Sequence, residues 1–319
     1  MKSMIRFAIG VAVIALAACA PADPPPAKDP APQGLENGSF TAQLNGFDIH
    51  YEVHGQGPVL MVLSQSWGLS LEGLRALYTP LEEQLTMVYF DPRGMGESSS
   101  IIEEADMGMA AVRADFHALR EHLGLESVNA IGWSNGAMNL IMLAAESPET
   151  IDAAIFVHGA ASFTEEDNAV WAQTYPDLMQ EYTQFMQEVQ SPDLSDQQRT
   201  EMMRSLWLDE YFPLMTADPE KAPAMFDRLY GEAEFSWPHS EYSQREYPTF
   251  DARDRLPLIT ARCLVIAGSH DMMTVEKVGE LSGGLTDSEF VVFTASGHFS
   301  PAEEPDTFKD LVFRFLGVY

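Results

Sequence analysis

Apolar and polar positions divide the chain into two regimes. Between residues 40 and 157, short apolar runs alternate with stretches of helical spacing. Residues 40–44 and 47–53 flank Asn45-Gly46, the dipeptide that most strongly signals a two-residue hairpin turn. Residues 58–63 (Pro-Val-Leu-Met-Val-Leu) are apolar without a break, as in a strand covered by helices on both sheet faces. The spacing then predicts a helix over 74–85, a strand over 87–90, a helix over 107–123, a strand over 128–131, a helix over 137–145 and a strand over 151–157. From Gly159 to about Arg255 this regularity stops, and the residues turn helical and rich in aromatic side chains and methionine. Strands return at 263–267 and 289–293, and a helix over 307–316 follows. Strands alternating with helices need crossover connections, so the expected fold class is α/β, with a mostly parallel eight-stranded sheet flanked by helices. The irregular stretch is expected to form a helical cap over the carboxyl edge of that sheet, where ligands bind. The resulting division is 1–18 leader, 19–38 tether, 39–158 first part of the core, 159–255 cap and 256–319 second part of the core.

The leader has Lys2 and Arg6 ahead of an apolar run over 7–18, too short to span a bilayer and therefore read as a signal peptide. It ends in Leu16-Ala17-Ala18-Cys19, which resembles the lipobox of bacterial lipoproteins. That resemblance implies cleavage before Cys19, a lipidated cysteine as membrane anchor, and a place in the cell envelope facing the periplasm. An ordinary signal peptide cleaved nearby would instead give a secreted protein. Residues 20–34 are dense in proline and lack apolar periodicity, as in an extended polyproline II tether.

Charge narrows the partners. The formal net charge is −30, which argues against nucleic acid or an anionic membrane surface as a partner. Contact with a membrane is expected only through the anchor. The acidity suits a salty or extracytoplasmic setting, and a lineage-wide composition bias would produce it equally well. Acylation of Cys19 would leave Cys263 without a disulfide partner; within the apolar run 263–267 it reads as an inert core thiol.

Candidate chemistry centres on Gly132-Trp133-Ser134-Asn135-Gly136, a G-x-S-x-G between a predicted strand and a predicted helix. Such a turn holds a serine in strained backbone with its hydroxyl exposed at the sheet edge. A serine hydroxyl needs a base and a group that orients the base. Asp271, in Gly268-Ser269-His270-Asp271, and His298, in Ser296-Gly297-His298-Phe299, each follow an apolar strand, so both are expected at that edge. Asp254 or Asp287 could supply the acid instead, with Asp271 capping a helix that starts near Thr274. His270 is expected to be exposed. For the oxyanion, one expected donor is the Asn135 N–H at a helix N-terminus. The second is expected from the loop Ser64-Gln65-Ser66-Trp67-Gly68, with Ser66 N–H chosen and Gln65 or Trp67 as neighbours in register. There is no phosphate loop, no dinucleotide fingerprint and no zinc-site spacing among the histidines, so no cofactor or metal is expected.

These motifs, in the order Ser134, Asp271, His298, identify the chain as similar to the α/β-hydrolases, nearest to the proline iminopeptidase-like and related ester hydrolases. Asp91-Pro92-Arg93-Gly94-Met95-Gly96-Glu97-Ser98 resembles the family's D-x-R-G-x-G-x-S turn and is read as structural. The resemblance implies an acyl-enzyme hydrolase acting on a small or medium ester, lactone or amide. Two features depart from it. Ser64-Gln65-Ser66-Trp67-Gly68 stands where relatives carry H-G-G-P-G, and the cap shows no recognisable aminopeptidase signature, although it holds Glu165, Glu166, Glu210, Glu232, Glu234 and Glu241. An aminopeptidase and a non-catalytic binding protein on the same fold are the alternatives. Dehalogenase and epoxide-hydrolase chemistry is disfavoured, since both need an aspartate where Ser134 stands.

Overall fold

A computed structural model of the protein describes residues 35–318. The leader, Cys19 and the tether as far as Gly34 lie outside the described residues. Ten strands are present among the described residues: β1 (Gly38–Leu44), β2 (Phe47–Gly55), β3 (Val59–Val62), β4 (Thr86–Phe90), β5 (Val128–Trp133), β6 (Ile151–Val157), β7 (Ser162–Phe163), β8 (Phe250–Asp251), β9 (Arg262–Gly268) and β10 (Ser288–Phe293). Eight of them form one sheet in the order β1-β2-β4-β3-β5-β6-β9-β10. The hairpin β1–β2 joins antiparallel, and every pairing from β4 to β10 is parallel. Asn45 and Gly46 turn the hairpin with φ of 52° and 89°, the double positive φ that a tight hairpin requires.

Successive residues of the central strands face opposite layers. Met61 belongs to the core on one face of the sheet, and Leu60 and Val62 to the core on the other. The second core continues into the cap through Phe212, which packs 4.4 Å from the Phe299 ring. Cys263 is buried in β9, and burial pushes its thiol up to about 12. Among the described residues no helix is long and apolar enough to cross a membrane.

The helices are α1 (Leu71–Tyr78), α2 (Met109–His122), α3 (Asn135–Glu146), α4 (Glu165–Thr174), α5 (Pro176–Val189), α6 (Asp196–Leu206), α7 (Phe212–Leu214), α8 (Ala222–Tyr230), α9 (Trp237–Glu246), α10 (Val275–Gly284), α11 (Ser300–Glu303) and α12 (Pro305–Leu316). The first helix departs from the expected 74–85 at both ends. It begins at Leu71 because the Leu71 N–H donates to Asp91 Oδ1 at 2.8 Å, an acceptor brought from a distant turn. It stops at Tyr78 because Pro80 opens a separate 3₁₀ turn, Thr79–Glu83. Helices α4 to α9 form the insertion, and the short antiparallel pair β7–β8, absent from the sequence reading, closes its base.

The turn after β4 is structural, as expected. Asp91 accepts from His50 Nδ1 (2.7 Å) and from the Glu97 N–H (3.1 Å). Arg93 grips Asp115 through two 2.8 Å bonds and Asp106 through one of 2.6 Å, with its guanidinium 4.2 Å above the Phe47 ring. Arg93→Ala would leave two buried carboxylates unpaired, so we expect a loss of about 3–5 kcal/mol, read from the urea midpoint. An unchanged midpoint would show that the cluster contributes nothing to stability.

Candidate active site

Ser134 sits between β5 and α3 with φ 53° and ψ −117°. A Cβ on Gly132 would lie 2.4 Å from Gly136 O, and one on Gly136 would lie 2.6 Å from Leu63 O. Strand, turn and helix therefore close this tightly only with glycine on either side of the serine. The strain falls on Ser134, whose N–H is held by Val157 O at 2.8 Å.

Two further strands end at the same edge. After β9, Asp271 is buried, and its Oδ1 accepts the Met273 N–H at 2.9 Å. After β10, His298 is buried with Nδ1 2.7 Å from Asp271 Oδ2. Burial works to raise the Asp271 pKa, but attraction to His298 and the contacts with His158 and His298 outweigh it and hold the carboxyl at about 2. The other acids considered do not reach the imidazole: Asp254 is 80% exposed beside Arg255, and Asp287 is exposed. Thr274, not Asp271, caps α10, accepting the Lys277 N–H at 3.2 Å. His270 is exposed, as expected.

The loop that carries His298 is held from three sides. Its N–H donates to Met215 O of the cap (2.7 Å), and its carbonyl accepts from Trp133 Nε1 (2.7 Å). Glu303 Oε2 accepts the N–H groups of Gly297 (2.8 Å) and Phe299 (3.3 Å), while Oε1 accepts from Ala217 in the cap (2.7 Å). The sequence reading missed this clamp, because it joins α11 to a cap segment of no fixed pattern. It also missed His158, although that residue follows an apolar strand at the same edge just as Asp271 and His298 do. His158 Nδ1 lies 3.1 Å from Asp271 Oδ2. His158, Asp271 and His298 form the one group among the described residues close enough to hold a metal ion. The contacts of 2.7 and 3.1 Å are hydrogen-bond distances, shorter than the roughly 3.3 Å that separates ligands around zinc, so the group is better described as a carboxylate flanked by two imidazoles.

The choice of Ser66 as oxyanion donor is corrected. Its N–H donates to Asn135 Oδ1 at 2.7 Å, its hydroxyl to the same oxygen at 3.1 Å, and the residue is fully buried and does not line the cavity. Polar side chains in place of the usual glycines explain this: Ser66 and Asn135 bind each other. Trp67, one residue on, lines the cavity, and its N–H meets no acceptor among the described residues. The Asn135 N–H, at the first residue of α3, has no intrahelical acceptor.

Ser134, Asn135, Trp67, Asp271 and His298 open on one cavity of about 430 Å³. Its other walls are largely apolar and come mostly from the cap, with Trp171, Tyr182, Trp207, Tyr211 and Trp237 among the large rings. Trp207 and Tyr211 belong to a π-helical turn, and Trp207 stacks on Trp67 with centroids 5.0 Å apart. Helix α4, which contributes Trp171, buries none of its residues. No lysine, arginine or glutamate lines the cavity, and Asp271 is its single carboxylate among the described residues.

Comparison with known proteins agrees with this architecture. The model of the α/β-hydrolase fold family matches residues 59–305. A pimeloyl-[acyl-carrier protein] methyl ester esterase of Vibrio vulnificus (strain YJ016) is 24% identical over 276 residues, covering 85% of this chain and 98% of its own. A hydrolase of the α/β fold from Bacillus anthracis str. Sterne superposes with a TM-score of 0.70 at 19% identity, over 88% of this chain and 99% of its own. An esterase from Exiguobacterium antarcticum gives 0.68 at 20% identity, over 87% and 98%. With its strand order, its nucleophile-type turn and this match over most of its length, the chain belongs to the α/β-hydrolase fold family and is an enzyme of it.

Proposed function

We propose that the protein is a serine hydrolase that cleaves neutral, apolar carboxylic esters or lactones through an acyl-enzyme. The observation that carries this is the strained Ser134 opening on the same cavity as His298, which is itself hydrogen-bonded to a buried, ionised Asp271. In acylation His298 Nε2 takes the Ser134 proton as Oγ bonds to the carbonyl carbon. The N–H groups of Asn135 and Trp67 receive the oxyanion, and the imidazolium returns its proton to the leaving oxygen. Water, deprotonated by the same nitrogen, releases the acid.

Charge in the cavity sets the substrate class. Burying an unpaired ion is costly, and no cation here would pair a substrate carboxylate. The cap itself carries twenty acidic and seven basic residues between 159 and 255, so an acidic carrier would be repelled. We therefore expect methyl heptanoate to exceed monomethyl pimelate in kcat/KM by at least about 100-fold, equivalent to roughly 2.7 kcal/mol. Equal rates would remove the claim of neutrality.

An aminopeptidase needs a free carboxylate to hold the substrate amine. Glu165, Glu166, Glu210, Glu232, Glu234 and Glu241 all lie off the cavity wall, and Glu234 instead accepts the Gly96 N–H at 3.0 Å. A p-nitrophenyl ester should accordingly be cleaved in preference to a prolyl anilide, and the reverse preference would reinstate the aminopeptidase reading.

A further inference from the structure

His158 directly follows β6 at the edge to which β9 delivers Asp271 and β10 delivers His298. It is wholly buried, and its φ of 53° is one of three positive values among the described non-glycine residues; Ser134 is another. Its Nδ1 lies 3.1 Å from Asp271 Oδ2, the oxygen that His298 Nδ1 approaches to 2.7 Å. The two imidazole rings are 5.2 Å apart. On the far side, His158 Nε2 accepts the Ser300 N–H at 3.4 Å and lies 2.8 Å from the Ser300 hydroxyl. A neutral imidazole has one proton, and a nitrogen that accepts a backbone N–H cannot also carry it. The proton therefore sits on Nδ1, turned toward the carboxylate.

Although Nδ1 lies 3.1 Å from Asp271 Oδ2, it makes no hydrogen bond of good geometry there. It acts as the positive end of a dipole set against the Asp271 charge. Burial disfavours the protonated ring more than Asp271 favours it, so the ring is kept neutral. A strained backbone and an imperfectly partnered buried nitrogen, both at one residue beside the candidate acid, are the kind of local cost that persists at functional positions.

We propose that His158 is a positioning residue for the hydrolytic reaction, its neutral Nδ1–H fixing the Asp271 oxygen that orients His298. When the Ser134 proton moves to His298 Nε2, the new imidazolium faces a carboxylate that cannot swing away. A charged His158 would compete with that imidazolium for the same oxygen, and a neutral one steadies the oxygen without doing so. The other titratable groups facing Asp271 are Tyr175, ahead of α5, and Glu303 of α11, and substitution of His158 leaves both in place.

The inference rests on the serine-hydrolase reading, and two variants with one direct measurement separate them. His158→Leu removes the donor, whereas His158→Asn keeps an N–H and tolerates positive φ. Hydrolysis of a neutral p-nitrophenyl ester across pH should show the Leu variant reduced about 10- to 100-fold in kcat with KM unchanged. The Asn variant should recover most of that loss. A folded Leu variant with the wild-type kcat would overturn the proposal, as would an Asn variant as impaired as Leu at equal Tm. Nitrogen-15 NMR of histidine-labelled wild-type protein needs no variant to fold: a neutral Nδ1–H tautomer at His158 from pH 5 to 9 is expected, and an Nε2–H tautomer overturns it. Wild-type protein with that tautomer but no ester hydrolysis would sink the hydrolase reading alone.

Discussion

Ser134→Ala is expected to lower kcat for a neutral ester by about 10⁴- to 10⁶-fold, the range found when a nucleophile that works as a unit with its base is removed. The variant should fold normally. The Ser134 side chain makes no capping bond to α3, so its hydroxyl contributes no helix-end stability. Alanine meets the same backbone constraint at φ 53° that serine does. The elbow is held by the Gly132–Gly136 approach and by the Ser134 N–H to Val157 O, and neither changes with the side chain. Loss of turnover without loss of Tm is thus the signature of a nucleophile. Comparable turnover in the variant would remove the serine from the chemistry.

Asp271→Asn should cost about 10⁴-fold in kcat with KM little altered. The carboxylate accepts at Oδ2 from His298 Nδ1, which leaves Nε2 free to take the serine proton. An asparagine can present an amide N–H there instead, which would favour the opposite tautomer and leave a proton on Nε2, where none can be accepted. The variant should also expose the part played by His158, whose Nδ1 would face the same altered amide. Full activity in Asp271→Asn would point to another acid, although Asp254 and Asp287 are both directed to solvent.

Much of this was legible in the sequence for a definite reason. A strand buried on both faces tends to be continuously apolar, so residues 58–63 and 263–267 declared themselves, and with 128–131, interrupted only by Asn129, they placed the residues that follow at the carboxyl edge. Glycine on both sides of Ser134 carried the steric signal of the elbow. What escaped were features set by tertiary partners. The start of α1 depends on Asp91, twenty residues away; the Ser66 N–H is diverted by an Asn135 side chain that only folding brings near; and the clamp of Glu303 on the His298 loop runs through Ala217 of the cap. The aromatic residues of the cap divide between two tasks that spacing cannot separate: Phe212, Phe226 and Tyr230 build its core, and Trp171, Trp207 and Trp237 face the cavity. His158 was overlooked because a single histidine after a strand has no motif around it.

The most direct measurement is mass spectrometry of the wild-type protein after exposure to a fluorophosphonate, which captures serine nucleophiles activated by a neighbouring base. A single phosphonyl adduct on the peptide that contains Ser134, absent from Ser134→Ala and strongly slowed in Asp271→Asn, is the expected result. No adduct on the folded wild-type protein, or one that maps to another residue, would contradict a serine-nucleophile mechanism.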